Sequence, residues 1–312
     1  MTALPQLDIA EGFRPLNVGS GKFLSQNGVI YGRHDGNDIQ LGLKIGVQHT
    51  NVGGICHGGM SMAFADTQLV LGAMAKMDDY SPLMTVNTSV DFVRPGVVDG
   101  WFRGETKVIR ATRNLVFAEA MVFVDDELDK RCSGGLRRTD FAPRDPAQLF
   151  TDTAPAFIAD QGPSNPPEGF RLANVPGPVL DVNGPYHAHL EGNNLRLGLR
   201  IEDRHCNTAG WCHGGTLMMF ADVQMGIGTM FKTDEFNFMP TMHMSTDFAV
   251  PVKAGAWLIG ETEVIRMTRN MAFSTCLLSV DGDPVVRSSG VNKRTAKSFD
   301  VVSPQTIFDL PV

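Results

Sequence analysis

The rhythm of apolar and polar positions changes along the chain, and the changes mark its elements. Strand-like runs at 29–33 and 38–46 flank the turn signal Asp35, Gly36 and Asn37. A glycine-rich loop follows, and then a proline-free stretch from Gly58 to about Lys76, rich in Ala, Met and Leu, reads as a helix. Within it only Asp66 and Lys76 are charged, and a helix so apolar is expected to be buried. Strand-like runs return at 84–93, Trp101–Ala111, Leu115–Val124 and 131–138. Their breaks fall at Arg94 to Gly96, Thr112 to Asn114 and Asp125 to Glu127, the last expected to be an exposed hairpin turn, as is 281–283. One long helix among five or six antiparallel strands predicts the α+β class, with one sheet wrapped around the helix.

The same order then repeats. Residues 27–139 align without a gap onto 183–295 at an offset of 156, with roughly two in five positions identical. A period of that length implies two whole domains rather than a solenoid. The expected division is 1–145, a Pro- and Ala-rich linker at 146–167 containing Pro155, Pro163, Pro166 and Pro167, and 168–312. Leu149, Phe150, Phe157 and Ile158 give the linker apolar groups that could dock onto a domain. Resemblances between Glu11–Arg14 and Glu168–Arg171, and between Pro146–Phe150 and Pro304–Phe308, extend the duplication.

Composition narrows the function class. The 312 residues are 43% hydrophobic and 20% charged, with a net charge of −7 and a pI near 5.6. No Lys/Arg-rich run suggests nucleic acid, and no apolar stretch approaches the roughly 20 residues of a membrane helix. The first residues lack a basic region followed by an apolar core, which argues against a secretory leader. Five cysteines without framework spacing read as reduced thiols, hence a cytoplasmic protein.

The repeat keeps polar residues as well as apolar ones. Asn51, His57, Gly58, Gly59 and Asp66 return at identical spacing as Asn207, His213, Gly214, Gly215 and Asp222. The glycines open the helix, where backbone N–H groups lack partners and the dipole is positive. Such a place can hold an oxyanion. Asp66 could act as general base or as nucleophile. Asn51 could position water or the carbonyl, and His57 is better placed to shape the loop than to take a proton. Cys56 and Cys212 adjoin the histidines but lack zinc-ligand spacing, so no metal is expected.

This order of strand, glycine loop, long helix and strands, with the Asn, His-Gly-Gly and Asp set, resembles the hotdog-fold acyl-CoA thioesterases, more narrowly their phenylacetate-pathway (PaaI-like) branch. The resemblance covers each repeat over about 110 residues, including Thr85–Pro95 and Arg113–Ala120. It implies a tandem double-hotdog thioester hydrolase acting on an acyl-CoA or acyl-carrier thioester, without metal or redox cofactor, as a homodimer of chains. It also implies that a hydroxyl at Thr85 and Thr241 assists water. On one helix, nine positions from His57 to Asp66 amount to a rise of roughly 13 Å, so a glycine amide and the Asp of one copy should not reach the same carbonyl. Hotdog pairs share sites at their junction. Crossed sites are therefore expected: Asn51, His57 and Gly58 with Asp222, and Asn207, His213 and Gly214 with Asp66. Hydratases of the same fold and a non-catalytic acyl-CoA binding module are the rival readings.

Arg110, Arg113 and Asn114, repeated as Arg266, Arg269 and Asn270, are candidates for the coenzyme A phosphates, and Gly59 and Gly215 for close substrate contact. The abundant methionines suit core filling or a deformable acyl pocket. Ile55 against Trp211 makes the two pockets unequal.

Overall fold

In the computed structural model, residues 9–20, 22–157, 164–296 and 302–308 are described. Residues 1–8, read above for a leader, and Ile158 and Pro163 of the expected linker lie outside them. The first unit comprises β1 (Arg14–Pro15), α1 (Phe23–Gln26), β2 (Tyr31–Asp35), β3 (Asp38–Lys44), α2 (Gly58–Lys76), β4 (Leu83–Phe92), β5 (Trp101–Ala111), β6 (Leu115–Val124) and β7 (Glu127–Arg138). The second repeats it as β8 (Arg171–Leu172), α3 (Pro178–Asn183), β9 (His187–Glu191), β10 (Asn194–Arg200), α4 (Gly214–Thr233), β11 (Thr241–Phe248), β12 (Trp257–Met267), β13 (Met271–Val280) and β14 (Asp283–Lys293).

All fourteen strands form one antiparallel sheet, in the order β1-β2-β3-β5-β6-β7-β4-β11-β14-β13-β12-β10-β9-β8. The units meet edge to edge at β4 and β11, where Ser89 pairs with Ser245. Those two serines are 156 positions apart, so a pseudo-twofold axis passes between them. Deeper in, Asn27 and Asn183 exchange reciprocal amide hydrogen bonds of 3.1 and 2.7 Å across the same axis. A continuous sheet leaves no strand edge exposed at the junction.

The sheet wraps two helices, and sequence explains why. Every residue of α2 except Gly58, Val70 and Lys76 is buried. The single glutamine of α2, Gln68, is buried because it completes the sheet. Gln68 Oε1 accepts from the Leu41 amide, and its Nε2 donates to the Ile39 carbonyl and the Thr106 hydroxyl. Strands β3 and β5 pair only over Gly42–Lys44, so Gln68 supplies the bonds the ladder lacks further along. Gln224 does the same for Leu197, Leu195 and Thr262.

The expected linker is docked at its start. Leu149 is buried, its carbonyl accepts from the Asn17 amide, and Phe150 bridges to Leu16. The corresponding Ile307 is buried in the second unit and bonds to Asn174. Phe157, by contrast, is exposed. The Asp125–Asp126 and Asp281–Gly282 turns have positive φ at both positions, as two-residue hairpins require.

Candidate active site

Each helix entrance is held by two histidines. His57 is the N-cap of α2, and its Nδ1 accepts the Gly59 amide hydrogen at 2.9 Å; His213 and Gly215 repeat this at the same distance. Behind them, buried His49 accepts from the Gly46 amide through Nδ1, and its carbonyl accepts from the His57 amide. His205 accepts likewise from Glu202. Burial pulls the pKa of His57 down, against the charge of Asp222, and takes His213 to about 4. Both caps are neutral imidazoles at neutral pH. The Nδ1 of His57 lies 3.5 Å from Asp222 Oδ2, but its lone pair is already engaged by Gly59, so this is proximity rather than an ion pair.

The asparagines close the loop. Asn51 Oδ1 accepts from the Gly53 amide at 2.8 Å. Asn207 Oδ1 accepts from the amides of Ala209 and Trp211. Their side-chain NH2 groups have no protein partner among the described residues, and Asn51 and Asn207 each line a cavity.

The aspartates come from the opposite unit. A Cβ at Gly58 would stand 2.7 Å from Asp222 Oδ2, and one at Gly214 would stand 3.4 Å from Asp66 Oδ2. The other carboxylate oxygen is held by a threonine: Thr85 Oγ1 donates to Asp66 Oδ1 at 2.8 Å, and Thr241 to Asp222 Oδ1 at 2.7 Å. Both threonines sit at register shifts, Thr85/Asn87 against β7 and Thr241/His243 against β14, and such a bulge re-aims a side chain. Burial raises the Asp66 pKa to about 6, against the lowering effect of the Thr85 hydrogen bond.

Two cavities follow. One, of about 720 Å³, is lined by Asp66, Thr85, Asn207, His213 and Gly214. The other, of about 500 Å³, is lined by Asp222, Thr241, Asn51, His57 and Gly58. Each therefore draws its carboxylate and threonine from one unit and its loop and helix entrance from the other.

Some expected residues stand elsewhere. Gly59 and Gly215 line neither cavity; their amides cap onto histidine, and they mark the crossing of the two helices. A Cβ on Gly59 would meet Met219 Cα at 2.5 Å, and one on Gly215 would meet Ala63 Cβ at 2.5 Å. Arg110, Arg113, Asn114, Arg266, Arg269 and Asn270 are exposed at the β5–β6 and β12–β13 turns, outside both cavity linings. The cations that do line them are Lys22, Arg137 and Arg144 in one and Arg94, Lys130 and Lys293 in the other. Arg137 and Lys293 occupy equivalent positions, a recurrence that could have pointed to them. His49/His205 and Gln68/Gln224 carried the same signal and were equally missed.

The methionines divide. Met60, Met62, Met218, Met219, Met225 and Met244 are core, whereas Met74, Met84, Met230, Met239 and Met242 line cavities. All five cysteines are free and buried, and burial raises the thiol of Cys56 as well as that of Cys212. Among the described residues no three His, Cys, Asp or Glu side chains converge as metal ligands, and no helix is long and apolar enough to cross a membrane.

Known proteins resemble both the sequence and the fold. The Pseudomonas aeruginosa protein named "Putative esterase PA0474" is 34% identical over 128 residues, 41% of this chain and 96% of that protein, so it has the size of one unit. A hot dog fold protein from Alicyclobacillus acidocaldarius shares the architecture at TM-score 0.59 and 15% identity, over 85% of this chain and 96% of that one. An acyl-CoA thioesterase II from Mycobacterium marinum does so at TM-score 0.52 and 12% identity, over 88% and 94%. The wrapped sheet is thus the hotdog fold, built twice. The family model described as "Thioesterase superfamily" matches residues 53–130 and 209–286, half of the chain and the same stretch of each unit, and on that match the chain belongs to the thioesterase superfamily.

Proposed function

We propose that the chain hydrolyses acyl-CoA thioesters at two crossed sites, in the manner of the phenylacetate-type branch. One observation carries this reading. Each carboxylate has one oxygen held by a threonine hydroxyl and the other turned toward the opening glycine of the opposite unit. A thioester carbonyl placed at the Gly214 amide would stand beside Asp66, and one at Gly58 beside Asp222. The ionised carboxylate takes a proton from water as the water attacks the carbonyl carbon. The oxyanion forms against the helix-entry amide, whose N–H has no intrahelical partner. Collapse expels the thiolate, which recovers the proton, giving one carboxylic acid and one free thiol per thioester and water consumed. The NH2 group of Asn51 or Asn207 steadies the water or the carbonyl.

Lys22, Arg137 and Arg144 at one mouth, and Arg94 and Lys293 at the other, are the cations through which coenzyme A phosphates would be held. Their place along the cavity walls supports them over the hairpin-turn arginines.

Release of free thiol from a panel of acyl-CoAs tests the reading. Asp66→Asn and Asp222→Asn should each remove one component of turnover, and the double variant should lose at least about 10²-fold, the scale of a general base. The crossing has its own test. Gly58→Ala should add nothing to Asp222→Asn, because both damage one site, but should abolish the activity left by Asp66→Asn. Additive losses within the Gly58/Asp222 pair would refute the crossed arrangement.

A further inference from the structure

The two cavities share their polar set but not their walls. Positions 156 apart differ in chemistry: Ile55 answers to Trp211, Arg94 to Val250, and Lys130 to Val286. Lys130 lines the Asp222 cavity. It is 2% exposed and ion-paired with Asp129, itself 1% exposed. In the second unit the same two positions are Val285 and Val286, also buried. The fold of a unit therefore does not require the ion pair. Replacing such a pair by apolar residues is often neutral or stabilising, so stability does not account for its presence in one unit alone.

The ammonium is incompletely partnered. Of its three donors one meets Asp129, and the Arg94 carbonyl lies 3.4 Å away. Around it stand the rings of Phe92 and Phe102, with centroids at 5.8 and 5.2 Å, and the Cys56 thiol. Burial lowers its pKa to about 8, so it is charged at neutral pH. Its third donor has no oxygen partner among the described residues, beside a cavity that Asp222 also lines.

Resting on the thioesterase reading, we propose that Lys130 is a specificity-determining residue of the Asp222 cavity, donating a hydrogen bond to an uncharged oxygen of the acyl group, a hydroxyl or keto oxygen. Asp129 already balances the ammonium, so an acyl carboxylate would enter without a counter-charge and is disfavoured. The Asp66 cavity, larger and walled by Trp211 and Val250, takes unsubstituted apolar acyl groups. A site built to hydrogen-bond a substrate oxygen discriminates strongly against the analogue that lacks it, because the buried donor is then left unpaired.

The test is a comparison of kcat/KM for hydroxyacyl-, oxoacyl-, carboxyacyl- and unsubstituted acyl-CoAs of matched length, in the Asp66→Asn background, with and without Asp129→Val/Lys130→Val. That pair copies the second unit, and a cooperative thermal melt establishes that the variant folds. Asp129→Asn/Lys130→Met is read alongside it. The ratio of hydroxyacyl or oxoacyl to unsubstituted substrate should fall about tenfold in both, the loss expected for one hydrogen bond from a charged donor. An unchanged ratio overturns the proposal. So does a uniform loss on all four substrates, which would place Lys130 on the pantetheine amides common to every acyl-CoA. If the unaltered chain released thiol from none of them, the thioesterase reading itself would fall, and the role of Lys130 with it.

Discussion

Asp66 is subject to opposed influences, and their balance makes a pH prediction. Burial raises its pKa and Thr85 lowers it, leaving a value of about 6, above the ordinary carboxylate range of roughly 4. The folded chain thus holds this proton more tightly than the unfolded chain does. Stability from the protonated form is present at low pH and is lost as pH rises from the ordinary range through about 6. Activity has the opposite sign, since the base must be ionised. In Asp222→Asn protein, where only the Asp66 cavity works, kcat/KM should rise with pH and level off with a midpoint near 6. A midpoint near 4 would mean that Asp66 is not the titrating base. Sterics separate the opening glycines. A Cβ at Gly58 would stand 2.7 Å from Asp222 Oδ2, whereas at Gly214 the nearest atom is 3.4 Å away. Gly58→Ala should therefore cost its cavity more in kcat than Gly214→Ala costs the other, measured in the matching single-site backgrounds.

At the scale of elements, the helix is registered on the sheet by one side chain. Gln68 answers the Leu41 amide, the Ile39 carbonyl and the Thr106 hydroxyl, and Gly72 and Gly104 make room for the contact. Gln68→Ala would leave two buried backbone groups, the Leu41 amide and the Ile39 carbonyl, without partners, at about 1–3 kcal/mol each before relaxation, while the Thr106 hydroxyl keeps its bond to the residue-68 carbonyl. A net loss of about 2–5 kcal/mol is expected in urea unfolding, with Gln224→Ala similar. A loss under about 0.5 kcal/mol would show that the helix does not need it. These elements were unevenly legible. Helix α2 and strands β5 and β6 could be read from composition and breaks because each is long and uniform. The four residues of α1 and the six of α3 are too short to display a period. The duplicated polar set could be read directly, since five polar or glycine positions recur at one offset. Which way each faces could not. Gly58 and Gly59 are neighbours in sequence, yet one meets a carboxylate and the other a helix. The repeated arginines at 110 and 266 fall past register shifts near the ends of their strands, and only the wrapping of the sheet reveals that they stand outside both cavity linings while Arg137, on β7 of the first unit, lines one.

The whole molecule depends on how closely its two helices approach. Both cavities straddle the junction of the units, so neither is complete unless α2 and α4 keep their separation. That separation is set at Gly59 against Met219 and at Gly215 against Ala63, while the Ser89–Ser245 pairing and the Asn27–Asn183 amides fix the same axis from the sheet and from the short helices. At Gly59 an added methyl would meet a backbone atom, Met219 Cα, at 2.5 Å. No flexible side chain can yield there, and the helices must part. Parting them moves Gly58 from Asp222 directly and Gly214 from Asp66 through the rigid length of the helix. Gly59→Ala should therefore depress both single-site activities together, each by about tenfold or more, since displacements of the order of 1 Å are costly to catalysis. Gly58→Ala, one residue earlier, should depress only one. Assays of both glycine variants in the Asp66→Asn and Asp222→Asn backgrounds, with unfolding curves to confirm folded protein, separate the cases. If Gly59→Ala spared either cavity, the two sites would be mechanically independent, and the shared helix crossing would be a packing contact without a role in catalysis.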